Sequence, residues 1–178
     1  MAEQMFATLH TNRGDIRVEL YPNHAPKTVA NFVELAEGSR EWTDPRTRQT
    51  SNARLYDGTT FHRVIPNFMI QGGGMLPNLN EKPTHKPIVL ESHNGLANVK
   101  GAVAMARTGV RDSATAQFFI NVQDNPFLDQ GDGYAVFGHV VSGMDVVEKI
   151  KQVETTTKGP YENVPVTPVL IKKATLEK

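Results

Sequence analysis

The residue types that ordinarily do chemistry are present in this chain, but few are arranged to do it. There is no cysteine, which excludes disulfides, thiol nucleophiles and thiolate metal sites. Six histidines occur: His10, His24, His62, His85, His93 and His139. None forms an HxH, HxxxH or HExxH pattern, so a zinc site has no support. Ser39, Ser51, Ser92, Ser113 and Ser142 lie in no GxSxG elbow. Asp129 and Asp132 read as solvated turn residues. Gly72-Gly73-Gly74 runs into Met75-Leu76-Pro77-Asn78, which starts no helix, so a phosphate cradle is not supported. A bulge or a close backbone approach suits those glycines better. What remains is a set of polar groups in apolar company: Arg63, Gln71, Gln117 and Asn121, with Phe61, Phe68, Phe118, Phe119, Phe127 and Tyr134.

Arg63 lies in the stretch Thr59 to Gly74, TTFHRVIPNFMIQGGG. Pro66-Asn67 separates two short apolar runs. Strand alternation predicts Phe61, Arg63 and Ile65 on one side, His62 and Val64 on the other. A cation among large apolar side chains has three common fates. It snorkels to the rim, pairs with an acid, or is held over a site. His62 faces away from Arg63 and reads as a hydrogen-bonded wall residue.

The elements around this stretch are short. Met5–Thr11 and Asp15–Tyr21 alternate as a hairpin about Asn12-Arg13-Gly14. From Ala25 to Glu37, Val29, Phe32, Val33 and Ala36 share a helical face, with Pro26 in the first turn and Gly38 at the C-cap. Ser39–Tyr56 reads as a long polar surface loop, pinned by Trp42 and given no role. Strands are expected at Ile88–Glu91, Gly101–Arg107, Gln117–Val122, Tyr134–Val141 and Val169–Leu176. Asp124–Asp129 should be a tight turn. Met144, Val147 and Ile150 mark a second, short helix, with a loop at Thr155–Gly159 after it. About eight strands and two helices in non-alternating order suggest a closed antiparallel β-barrel, which removes sheet edges, with a helix over each end.

The bulk numbers fit one domain spanning 1–178. The chain is 39% hydrophobic and 21% charged, and its 19 basic residues balance 19 acidic ones. Zero net charge argues against a nucleic-acid partner and gives no polybasic membrane signal. No run approaches the ~20 apolar residues of a membrane helix. Met1-Ala2-Glu3-Gln4 has neither a basic nor an apolar leader region, so a cytoplasmic protein is expected. A monomer is expected too, since no heptad or long apolar stripe is visible.

Phe61-His62-Arg63-Val64-Ile65-Pro66-Asn67-Phe68-Met69-Ile70-Gln71-Gly72-Gly73 resembles the signature of the cyclophilins, which are peptidyl-prolyl cis-trans isomerases. The likeness continues in Ala25-Pro26-Lys27-Thr28-Val29-Ala30-Asn31-Phe32, Met105-Ala106-Arg107, Gln117-Phe118-Phe119-Ile120 and Val136-Phe137-Gly138-His139-Val140. It covers nearly the whole chain in the family's order and implies an eight-stranded antiparallel barrel with two helices. Arg63 would be the catalytic arginine, and Gln71 the side chain that binds substrate backbone. Phe68, Met69, Phe119 and Leu128 would wall the proline pocket. Ala106 and Arg107 would edge the peptide, with Gln117, Phe127 and Tyr134 completing the substrate site. Tyr134 stands where many relatives carry histidine. Phe127 stands where eukaryotic relatives usually carry tryptophan, a departure that resembles bacterial members and implies weak cyclosporin binding. Arg107–Ser113 also departs from the commoner loop, which implies an altered sequence preference beside the proline. The implied partners are proline-containing peptides and protein clients whose folding it assists. Neither metal nor cofactor is implied.

No bond is made or broken in that reaction, so the absent nucleophiles and metals are no obstacle. Two other classes stay open on the residues alone. One is a chaperone-like module that grips prolines without turnover. The other is a small-molecule carrier using the barrel interior, against which the many inward apolar residues argue.

Overall fold

The computed structural model describes residues 4–39 and 41–177, so the expectation about Met1–Glu3 lies outside the described residues. Alternating patterns become strands as expected. β1 (Met5–Thr11) and β2 (Gly14–Leu20) pair antiparallel in register, and Ala7, Leu9, Ile16, Val18 and Leu20 are buried. α1 (Pro26–Glu37) starts with its proline and stops at Gly38, whose φ of +68° suits a residue without a Cβ. It buries Val29, Phe32, Val33, Leu35 and Ala36.

The remaining elements are β3 (Trp42–Thr43), β4 (Thr50–Ser51), β5 (Thr59–Thr60), β6 (Arg63–Ile65), β7 (Met69–Gly72), β8 (Ala102–Met105), β9 (Phe118–Asn121) and a 3₁₀ turn at Pro126–Asp129. Then come β10 (Val136–Ser142), α2 (Met144–Lys151), β11 (Thr155–Lys158), β12 (Tyr161–Pro165) and β13 (Leu170–Glu177).

Nine strands form one sheet in the order β5-β13-β1-β2-β10-β8-β9-β7-β6. The expected closed eight-stranded barrel is therefore corrected to an open, strongly curled sheet with two helices. Its edge strands, β5 and β6, are consecutive in sequence and joined by Phe61-His62. There the Phe61 N–H still follows the β5–β13 register, bonding to the Val169 carbonyl at 2.9 Å, while from Arg63 onward the chain pairs with β7 instead. The change of partner also shifts side-chain parity. Phe61 turns into the core with Val64 rather than sharing a face with Arg63.

Apolar residues on alternate positions give the sheet two cores. Val64, Ile70, Val103, Phe118 and Ile120 face inward. There Phe118 meets Phe32, Tyr56 and Phe61 at ring separations of 5.8, 5.5 and 6.1 Å, and Phe32 meets Phe137 at 5.4 Å. Tyr56 donates to the Ala116 carbonyl at 2.8 Å, so its buried hydroxyl is satisfied. Met69, Ala102, Ala104, Phe119 and Val136 face outward and build a second, smaller cluster with Leu128.

Three local expectations change. Ile88–Glu91 forms no strand, only one bridge from Ile88 to Ala114. Thr155–Gly159 opens a hairpin, β11–β12, whose threonine-rich strands lack the apolar signal of a buried sheet. Ser39–Tyr56 is folded as well: β3 and β4 pair with Trp42 opposite Ser51. Asp44, with no solvent exposure, accepts from the N–H of Arg46 at 2.7 Å, of Thr47 at 3.4 Å and of Thr84 at 2.7 Å. The Arg46 guanidinium adds a bond at 3.3 Å and reaches Glu81 at 3.2 Å.

Burial raises the Asp44 carboxyl, but these donors outweigh it and hold the group at about 2. A carboxyl so depressed stabilises the hairpin fully above the unfolded value of about 3.9. That contribution disappears as pH falls toward about 2. The emission of Trp42, the sole tryptophan, should therefore hold steady down to pH ~4 and change below it. Asp44→Ala should give the changed emission at pH 7 and cost about 1–3 kcal/mol in urea unfolding, since three backbone donors lose their acceptor. Unchanged emission in that variant would contradict the clamp.

Candidate functional site

Residues directly opposed across antiparallel strands share a face. Arg63 opposes Gln71, Gln71 opposes Phe119, and Phe119 opposes Ala104. Four strands thereby set a cation, an amide, a ring and a methyl group in one row on the outer face. Met69 precedes Gln71 on that face by one strand period. The alanines at 102 and 104 keep the floor low, and Phe119 fills it.

Around this row Arg63, Phe68, Met69, Gln71, Ala106, Arg107, Phe119, Leu128 and Tyr134 border one cavity of about 120 Å³. That is well below the ~300–1,000 Å³ of a drug-sized pocket and suits one small ring. Met69, Phe119 and Leu128 are buried beneath it. Tyr134 meets Phe119 edge-on at 5.8 Å. The Arg107 guanidinium lies 4.5 Å over the Tyr134 ring and donates to the Gly133 carbonyl at 3.0 and 2.6 Å.

Arg63 is exposed and points over the rim. Its Nη1 donates to Gln71 Oε1 at 3.4 Å, and Gln71 Nε2 donates to Gln117 Oε1 at 3.0 Å. No carboxylate among the described residues pairs with Arg63. Gly74 makes this relay possible: a Cβ there would lie 2.5 Å from Gln117 Cγ. Gln117 therefore stands behind Gln71 rather than on the cavity wall. Phe127 also stays off the wall. It is 56% exposed at the rim and packs on Phe68 at 5.5 Å.

Residues 6–176 match the family model for cyclophilin type peptidyl-prolyl cis-trans isomerase/CLD. The chain belongs to the cyclophilin family. It is 47% identical over 173 residues to peptidyl-prolyl cis-trans isomerase A of Dickeya dadantii, covering 96% of this chain and 83% of that one. It is 46% identical over 175 residues to isomerase B of Escherichia coli, covering 95% and 98%. A crystal structure of a Cryptosporidium parvum cyclophilin-type isomerase superposes with a TM-score of 0.79 at 23% identity, covering 99% of both chains, and so shares the fold.

A second polar network supports this cyclophilin's cavity, and only Asn121 in it stood out in the sequence. Asn121, fully buried, donates to Asn98 Oδ1 at 3.0 Å and to the Ala102 carbonyl at 3.1 Å. Asn125 donates to Asn121 Oδ1 and to the Phe68 carbonyl, both at 2.8 Å. Asn98 donates to Asp129 Oδ1 at 2.8 Å. Asp129 is thus a structural acceptor, not the solvated turn residue expected, whereas Asp132 is exposed. The network ties Phe68 and the turn bearing Leu128 to the sheet. Asparagine spacing in loops carries no periodic signal, which is why sequence reasoning missed the rest.

His62 is 7% exposed, and its Nδ1 has no partner among the described residues. Burial, aided by the charge of Arg63 and opposed by a bond to the Thr60 backbone, lowers its pKa to about 4. It is therefore neutral at pH 7, which disqualifies it as a proton donor there. The unfolded chain takes this proton near pH 6.5. Stability from neutral His62 is present above that value and is lost as pH falls toward about 4. The urea-unfolding free energy of wild type relative to His62→Gln should fall across that window by on the order of 3 kcal/mol. A pH-independent difference would contradict the buried neutral state.

Proposed function

We propose that this cyclophilin accelerates cis-trans isomerisation of X-Pro bonds, with Arg63 as its catalytic residue. One observation carries this most: a guanidinium with no carboxylate partner among the described residues, held by Gln71 at the rim of an apolar, ring-sized cavity. An X-Pro bond crosses a barrier of ~18–20 kcal/mol while its two planar states differ by only ~0.5–1 kcal/mol. The barrier is amide resonance lost on twisting. A catalyst therefore needs to favour the twisted state over both planar ones.

The cavity grips the proline ring between Met69, Phe119 and Leu128 and leaves the preceding carbonyl side to rotate. As the bond twists, the proline nitrogen regains its lone pair, and Arg63 donates to it. A guanidinium suits this because it is permanently charged, planar and many-pronged. Gln71 holds one prong and binds substrate backbone, and Gln117 fixes Gln71. The donor is thus oriented before substrate arrives, which is where electrostatic catalysis gains most.

The substrate class agrees with that of the dipeptide Ala-Pro, in whose presence the Cryptosporidium protein was also crystallised. In a cell the clients would be folding proteins with slow prolyl bonds, handled by a cytoplasmic monomer. Phe127 at the rim, away from the cavity wall, supports weak cyclosporin binding.

In a protease-coupled assay on a short Ala-Pro peptide, Arg63→Ala should lose about 100-fold or more in kcat/KM. Its urea midpoint should stay near wild type, because the side chain is exposed. Near-normal turnover in that variant would overturn the assignment.

A further inference from the structure

The ring-sized cavity does not end at its own rim. It shares Gln71, Ala106 and Arg107 with a second cavity of about 570 Å³. That one shares Pro45, His85 and Pro87 with a third, of about 650 Å³, lying between α1 and the β3–β4 hairpin. The three share walls in sequence and run from Arg63 to the flank of α1. Trp42 borders the far cavity, with Leu35 and Ile88. The β3–β4 hairpin thus supplies the farthest wall.

That wall is fixed before anything binds. Pairing with Ser51 holds the backbone of Trp42, and the buried Asp44 clamps the hairpin to Thr84. A groove preformed in this way loses little freedom on binding. Tryptophan is also the residue type most enriched among side chains that dominate binding energy. The Trp42 indole N–H is buried and finds no acceptor among the described residues. The cavity lining mixes apolar Leu35, Trp42 and Ile88 with charged Lys27, Glu34, Glu41 and Lys86, a composition that suits a polypeptide, which offers both apolar side chains and polar backbone.

We propose that the groove extends the client site. An extended polypeptide whose proline fills the small cavity continues past Pro45 and Pro87 and seats an apolar side chain against Trp42. The occupant is the flanking segment of the same client, because the groove is continuous with the proline site. The proposal rests on the isomerase reading above and adds that long clients are held at a second point.

Three peptides with one central Ala-Pro bond test this. One is a tetrapeptide. The others carry about ten further residues on the N-terminal or the C-terminal side, spanning ~33 Å when extended, with leucine at alternate positions. Isomerisation is read by exchange NMR and binding by Trp42 fluorescence. One long peptide should show a KM at least about fivefold below that of the tetrapeptide and shift the emission. Trp42→Ala should remove the KM advantage and leave tetrapeptide turnover unchanged. Ala30→Arg, at an exposed helix position that lines the same cavity, should do likewise without touching the core. The proposal is overturned if neither long peptide gains over the tetrapeptide, or if the gain survives both substitutions. A dead tetrapeptide reaction with a long peptide still shifting Trp42 would sink the isomerase reading and support the groove.

Discussion

The structure depends on one adjacency, Phe118 beside Phe119 on β9. Successive residues of a strand face opposite ways. Phe118 is locked among Phe32, Tyr56 and Phe61 inside the curl. Phe119 is therefore forced outward, where it floors the cavity under Arg63 and Gln71. A slip of one residue in the pairing of β9 would send Phe119 into the core and turn Phe118 and Ile120 outward. The inner aromatic cluster thus sets the register on which the outer site is built. The site needs no loop to define its floor, only the sheet.

On that floor the chemistry is a matter of difference. A cavity that, as proposed, grips a proline ring does not itself distinguish planar from twisted amide. In the proposed mechanism the distinction falls to Arg63 at its rim, whose bond to a pyramidal nitrogen has no counterpart in the ground state. Each ~1.4 kcal/mol of such preference is a factor of ten. The polar relay through Gln71 and Gln117, admitted by Gly74, gives that exposed group an acceptor on the cavity side. The asparagine chain from Phe68 to Asp129 steadies the apolar wall in the same way.

Much of this was legible in the sequence where period or motif speaks. The β1–β2 hairpin and the start and stop of α1 follow from alternation, Pro26 and Gly38. Nine of the eleven site residues implied by the family resemblance border the cavity. Gln117 sits behind it because a relay between two amides has no sequence signal. Phe127 sits at the rim because a turn's side-chain direction cannot be read from its composition. Sheet closure failed as an expectation at Phe61-His62, where the chain changes partner from β13 to β7 in a run that looks unbroken. The β3–β4 hairpin was hidden because the contact that clamps it, Asp44 accepting the Thr84 N–H 40 residues away, is one that no local pattern encodes.

The central claim is that binding and twisting are separate and that this protein does both. Exchange NMR on a short Ala-Pro peptide, with the wild-type protein in catalytic amount, measures it directly. Uncatalysed exchange takes tens to hundreds of seconds. Exchange between cis and trans signals on a timescale of about a second or less, at an unchanged cis:trans ratio, is the expected result. Peptide signals that shift on binding while exchange stays at the uncatalysed rate would contradict the account.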